Sequence, residues 1–132
     1  ILKPIAQKLI PLLSTEFHLL SAMQMGGIPI ATAIAMATGK QMVFIRKEAK
    51  EYGTCKFAEG SEIKGKSICL IEDVITTGGQ VVISTQMLRE QGAIVKDVVA
   101  VIDRSLGDHS KLQGADLSLK ALFTMDELKS QS

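Results

Sequence analysis

The sequence predicts an α/β fold in which a mainly parallel central sheet is flanked by helices, and three observations carry that expectation. Short β-rich apolar runs recur at 17–23, 41–45, 67–72, 94–102 and 117–123. Helical patterns stand between several of them, at about 28–38 and 80–91, and strands alternating with helices imply right-handed βαβ crossovers. The run from Ile68 to Ile71 is apolar on both faces, as is a strand buried inside a parallel sheet.

Pro4 suits the first position of a helix carrying Ile5, Leu9, Leu12 and Leu13, but Pro11 breaks its hydrogen-bond ladder, so a short or kinked element is expected. Phe17 to Met23 reads as a strand. The turn Met25-Gly26-Gly27 leads into a helix with Pro29 in its first turn, which runs to about Thr38 and stops at Gly39. Its Ala and Ile residues are spread around the axis, which predicts cover on both sides. Gln41 to Ile45 is the next strand. Residues 46–66 hold charges, Gly53, Gly60 and Gly65 and no sustained period, so a long loop or a frayed hairpin is expected. After the 67–72 strand, the helix from about Gln80 to Gln91 puts Val81, Ser84, Thr85 and Leu88 on one face, with Gly92 as its stop. Ile94 to Ile102 is a β-branched strand ended by Asp103 and Arg104. Residues 105–116 form a polar connection with a helical turn near Ser110 to Gln113, before a last strand from Leu117 to Phe123 and a tail helix at 125–130. With no linker or repeat, residues 1–132 are expected to form a single domain.

Composition narrows the function classes. A hydrophobic content of 46% with 22% charged residues is globular. Fifteen basic against 14 acidic residues leave a formal net charge of +1, so no broad electrostatic footprint for nucleic acid or an anionic membrane is expected. The stretch from Ile5 to Leu13 has no cleavage-like small-residue pattern and is not read as a signal peptide, and no run reaches transmembrane length. Cys55 and Cys69 lack the spacing or the paired His of a zinc site. Cys69 reads as a core thiol, and a free Cys55 in a loop suits a reducing compartment, so a cytoplasmic location is expected. His18 and His109 show no obvious partners and read as structural or solvated.

The most informative stretch is 67–80, Ser-Ile-Cys-Leu-Ile-Glu-Asp-Val-Ile-Thr-Thr-Gly-Gly-Gln. An apolar run ends in two adjacent acids, Glu72 and Asp73, at the carboxyl edge where open α/β sheets place their ligands. Thr76, Thr77, Gly78 and Gly79 follow as a loop whose backbone N–H groups can approach a phosphate, and a helix N-terminus comes next. Such an arrangement can hold a ribose phosphate. The same residues can also form an ordinary strand-to-helix turn with solvent-facing acids, and the stretch alone leaves both readings open.

That stretch resembles the phosphoribosyl-pyrophosphate (PRPP) signature of the type I phosphoribosyltransferases. Residues 45–54, Ile-Arg-Lys-Glu-Ala-Lys-Glu-Tyr-Gly-Thr, are similar to the catalytic loop of the orotate branch of that family. Three further segments agree: Met25-Gly-Gly-Ile-Pro-Ile-Ala-Thr-Ala, Val101-Ile-Asp-Arg, and Leu122-Phe-Thr-Met-Asp-Glu-Leu. The resemblance runs from about Pro4 to Leu128. Family members usually begin with an amino-terminal hood and an early Ser-Gly-containing strand segment; nothing in this sequence matches them, so a core without its lid is expected. Tyr52 stands where many members have His, and Gln80 where the phosphate loop often ends in a small residue.

The resemblance implies the type I phosphoribosyltransferase core and transfer of ribose 5-phosphate from PRPP to orotate, giving orotidine 5′-monophosphate and pyrophosphate. It implies that the 5′-phosphate rests on the backbone of Val74, Ile75, Thr76, Thr77, Gly78, Gly79 and Gln80. Glu72 and Asp73 would hold the ribose hydroxyls and stabilise a ribosyl cation. Arg46, Lys47, Lys50, Tyr52 and the Met25-Gly26 backbone would serve the leaving pyrophosphate, with Lys50, Glu72 and Asp73 as the catalytic set. Thr76 and Arg104 would recognise orotate. Mg²⁺ is implied as the cofactor, held mainly by substrate and water rather than by dedicated side-chain ligands. A homodimer sharing the 46–66 loop between subunits is implied as well, with no nucleic-acid or membrane partner. Two other readings stay open: a PRPP-binding regulatory module, and a transferase for a purine base, which the Arg-Lys-Glu-Ala-Lys order opposes.

Overall fold

The structure, a computed structural model, describes residues 2–13, 17–23, 27–45, 58–60 and 63–125. Helix α1 (Leu2–Leu9) continues into a 3-10 turn (Ile10–Leu12). Then follow β1 (Leu19–Met23), α2 (Ile28–Thr38), β2 (Gln41–Ile45), β3 (Ala58–Gly60) and β4 (Ser67–Ile75). Helix α3 (Gly79–Glu90), β5 (Ile94–Asp103), α4 (Ser110–Gly114) and β6 (Ser118–Thr124) complete the described fold.

The six strands make one sheet in the order β3-β2-β1-β4-β5-β6. All neighbours are parallel except β3, which runs antiparallel along β2. One face of the sheet packs Leu19, Ile68, Leu70, Val95 and Val98 with Val81 and Leu88 of α3 and Leu112 of α4. The other packs Leu20, Ala22, Cys69, Ile71 and Val99 with Ala6 and Leu9 of α1 and Ile30, Ala31 and Ile34 of α2. Helices on both faces explain why β4 is apolar from Ile68 through Ile71, with neither face wet.

Local sequence dictates the helix ends. In α3 the buried residues are Val81, Ser84, Thr85 and Leu88, the face the 3.6-residue period predicts. Gly92, at φ 91°, closes it: its amide donates to the Arg89 carbonyl at 2.9 Å, and the Ala93 amide to the Leu88 carbonyl at 3.1 Å, which is a Schellman stop. Helix α2 ends at Gly39 in the left-handed region. Pro11 does divide the first helix, leaving a two-turn α1 and a 3-10 turn.

Some expectations need correcting. β4 does not stop at Glu72 but runs to Ile75, because β5 stays alongside as a ladder partner through Val74↔Ile102 and Ile75↔Asp103. The helix after it begins one residue early, at Gly79. Helix α2 is not covered all round: Met36 is 82% exposed and Pro29, Thr32 and Ala37 are exposed too, because α1 and the sheet occupy only one side of it. β1 begins at Leu19, and β3 pairs Ala58 to Gly60 with β2, which is the hairpin alternative for that stretch. Of the tail helix, Met125 alone is described.

Helix α2 sits tightly on β4 through one glycine. A Cβ at Gly27 would collide with the backbone carbonyl of Ile71, an atom that cannot rotate away. Gly27→Ala should therefore destabilise the protein by about 2 kcal/mol, measured as a lower denaturant midpoint; an unchanged midpoint would mean that α2 slides freely on the sheet.

Candidate functional site

The site lies where the sheet's winding reverses. From β1 the chain passes through α2 to β2 on one side, and from β4 through α3 to β5 on the other, so the carboxyl ends of β1 and β4 border a crevice that neither crossover covers. The last pair joining these two strands is Ala22↔Ile71. Beyond it β4 projects with β5 as its one described neighbour, carrying Glu72 and Asp73 along the mouth.

Successive strand residues leave opposite faces, so the two carboxylates flank the strand instead of converging on one point. Each is half-buried. Burial, and then the neighbouring Asp73 charge, push the Glu72 carboxyl up to about 7. Asp73 accepts a 2.7 Å hydrogen bond from the Val74 amide. A site that holds Glu72 this uneasily suits a ligand offering hydroxyl donors.

Next comes the turn. Gly78 stands at φ 85°, and a Cβ there would lie 2.7 Å from Cδ2 of Leu112, so both the backbone conformation and α4 beneath it demand glycine. Thr77 Oγ1 accepts from the Gly79 amide at 3.3 Å, and the Val82 amide closes the first helical bond on the Gly78 carbonyl at 2.9 Å. The amides of Gln80 and Val81 have no acceptor among the described residues. No acid stands in the first turn of α3. Unsatisfied N–H groups, the helix's partial positive end and no carboxylate are features that can receive an anion.

A third group faces the same edge. Arg104 follows β5, its amide donating to the Ile75 carbonyl at 2.7 Å, and its side chain is exposed and unpaired among the described residues. It does not cap the strand edge by pairing with the nearby acids: Asp103 bonds Ser105 and His109, and Asp108 bonds Ser110.

No protein-family model matches the chain. An orotate phosphoribosyltransferase from a Nocardioides species is 44% identical over 124 residues, covering 94% of this chain and 69% of that one. Another from Methanospirillum hungatei is 41% identical, covering 97% and 73%. The chain belongs to the orotate phosphoribosyltransferase family. Among solved structures, the Mycobacterium tuberculosis orotate phosphoribosyltransferase in complex with PRPP superposes with a TM-score of 0.82 at 24% identity, covering 96% of this chain and 75% of that one, a likeness of fold.

Of the residues that family resemblance singles out, the structure brings Glu72, Asp73, Val74, Ile75, Thr76, Thr77, Gly78, Gly79, Gln80 and Arg104 to one edge of the sheet. Val74 and Ile75 belong to β4 rather than to the turn. Met25, Gly26, Arg46, Lys47, Lys50 and Tyr52, and with them the 46–57 part of the shared loop, lie outside the described residues. The residues missed by sequence reasoning come from α4 and the connection before it. Leu112 props Gly78, and Lys111 places its Nζ 3.8 Å from where a Cβ on Gly79 would stand, a cation beside a helix N-terminus. Both His residues have partners: His18 Nδ1 accepts from the Ser67 amide at 3.0 Å, and His109 meets Asp103 at 2.7 Å. Cys69 is a buried free thiol, pushed up to about 12 by burial and then by Asp97, in keeping with a core role.

With the folded pKa of Glu72 raised above its unfolded value, the protonated form favours folding, and that contribution fades as pH rises from about 4.5 through 7. Glu72→Gln should flatten the ligand-free stability profile and gain up to roughly 3 kcal/mol over wild type at pH 8 but little at pH 4. Urea unfolding at both pH values checks this; an equal difference at the two would refute it.

Proposed function

We infer that this chain transfers ribose 5-phosphate from PRPP to N1 of orotate, giving orotidine 5′-monophosphate and pyrophosphate in pyrimidine biosynthesis. The observation that carries the reading is the pairing of an acid-flanked crevice with an anion-binding turn at the sheet's switch point, in a chain 44% identical to a named orotate phosphoribosyltransferase. The donor has an anion at each end and a C1 atom that becomes cation-like as its bond to pyrophosphate breaks and the bond to N1 forms. The turn of Thr76 to Gln80 takes the 5′-phosphate on backbone donors, with Lys111 adding a point charge nearby.

Glu72 and Asp73 accept hydrogen bonds from the ribose hydroxyls, one from each side of the strand end, and their negative charge opposes the positive charge growing on the sugar. Binding a hydroxyl-rich ligand favours the ionised form of Glu72, so affinity for PRPP falls as pH drops below about 7. Arg104 pairs with the orotate carboxylate through its fork of donors, and Thr76 offers a second contact. Arg46, Lys47, Lys50 and Tyr52, with the Met25-Gly26 backbone, serve the pyrophosphate, on the strength of the sequence resemblance.

Mg²⁺ is part of the same reading. Among the described residues no cluster of three or more His, Cys, Asp or Glu can hold a metal. The ion would be carried in on the pyrophosphate, keeping its waters and asking for one or two carboxylates at most. Bound there, it would supply charge neutralisation on the leaving group, and Glu72 and Asp73 are the carboxylates that would meet it. A homodimer sharing the 46–66 loop and a single domain spanning the chain belong to the proposal. So does a cytoplasmic setting, which rests on the sequence reading of Cys55 as a free thiol suited to a reducing compartment. No described helix is long and apolar enough to cross a membrane.

An assay of orotate- and Mg²⁺-dependent pyrophosphate release tests the inference. PRPP binding with no turnover of any base would move the chain to the regulatory reading. Asp73→Asn and Lys50→Ala should each lower turnover by about a hundredfold or more while leaving the unfolding midpoint in place; unchanged turnover in either removes that residue from the mechanism.

A further inference from the structure

The carboxylate that ends β5 belongs to no role assigned so far. Asp103 is 7% exposed, and both its oxygens are engaged with the connection that follows. Oδ1 accepts from the Ser105 amide at 2.8 Å and from Ser105 Oγ at 2.6 Å, while Oδ2 meets His109 Nε2 at 2.7 Å. One buried side chain thus gathers both ends of the loop that carries Arg104. The Arg104 amide is itself tied to the Ile75 carbonyl.

We propose that the Asp103–His109 pair is a clamp that orients Arg104 toward the base, making His109 a positioning residue for orotate recognition. The inference rests on the transferase reading and on Arg104 as the base contact. Packing does not shape the loop: Leu106 is 70% exposed and sits at φ 57°, a conformation a branched side chain resists, and Gly107 follows at φ 87°. Its hydrogen bonds do. Burial alone draws the Asp103 carboxyl toward protonation, yet the bonds from Ser105 and His109 outweigh it and hold the group below the usual carboxylate range.

His109 is held in turn from the far side. Asp108 accepts from the Ser110 amide at 3.2 Å and from Ser110 Oγ at 2.8 Å, and the Gln113 amide donates to the His109 carbonyl at 2.9 Å, which fixes the start of α4. Leu112 anchors that helix in the core independently of the imidazole. Removing the ring therefore spares the fold and the phosphate turn above Leu112, and frees the segment from Arg104 to Asp108.

Steady-state kinetics on the full chain tests the clamp. His109→Ala should raise KM for orotate about tenfold while KM for PRPP stays within about twofold. His109→Gln, whose amide nitrogen can stand where Nε2 stood, should restore most of the loss. Arg104→Ala should raise the orotate KM further, and adding His109→Ala to it should change nothing more, because the ring acts through that arginine. Ser105→Ala, which removes one bond to Asp103 without touching His109, should shift the orotate KM in the same direction by a smaller factor and serves if the histidine variants do not fold. Equal rises in both KM values, or additive effects of His109→Ala and Arg104→Ala, overturn the clamp alone. No orotate turnover in wild type, or an orotate KM indifferent to Arg104→Ala, overturns the base-site reading and the clamp with it.

Discussion

After Ile71, β4 keeps β5 as its one hydrogen-bonded neighbour among the described residues, and the rest of the site depends on that ladder. A strand paired on both edges has no room for a ligand beside it. A strand paired on one edge, still stiffened by it, carries Glu72 and Asp73 into a crevice while holding their backbone in place. The same ladder delivers the chain to Thr76 at a fixed height, so that the turn and the N-terminus of α3 open onto the crevice rather than into solvent at large. Two tight approaches keep the frame from relaxing: Gly27 against the Ile71 carbonyl on one face, and Gly78 against Leu112 on the other.

Much of this was legible in the sequence, for reasons that differ by element. The buried face of α3 and its stop at Gly92 follow from a local period and a local conformational need, so Val81, Ser84, Thr85 and Leu88 could be named without the fold. Gln41 to Ile45 reads as a strand because its β-rich run is bounded by Gly39 and by charge. The end of β4 did not read so. Two acids interrupt the apolar run at Glu72, and what extends the strand to Ile75 is β5, a partner some thirty residues on in the chain. The open side of α2 was misjudged for a related reason, since the spread of its apolar residues says nothing of how many neighbours will arrive.

At the site the same division holds. The acids, the turn and Arg104 are carried by contiguous residues with a recognisable order, and they converge as that order suggests. Lys111, Leu112 and His109 are not contiguous with any of them. They reach the site because the chain doubles back through a turn at Leu106 and Gly107, and a left-handed leucine gives no hint of that in composition or period. His109 looked partnerless for as long as Asp103, six residues away, was read as the mere end of a strand.

The bond from the Arg104 amide to the Ile75 carbonyl has a consequence for how this scaffold can change. It fastens main chain to main chain, so the spacing between the backbone at Ile75 and at Arg104 does not depend on which side chain stands at 104. If Arg104 is the base contact proposed above, the residue at 104 can therefore be exchanged to court a different heterocycle while the end of β4 keeps its place.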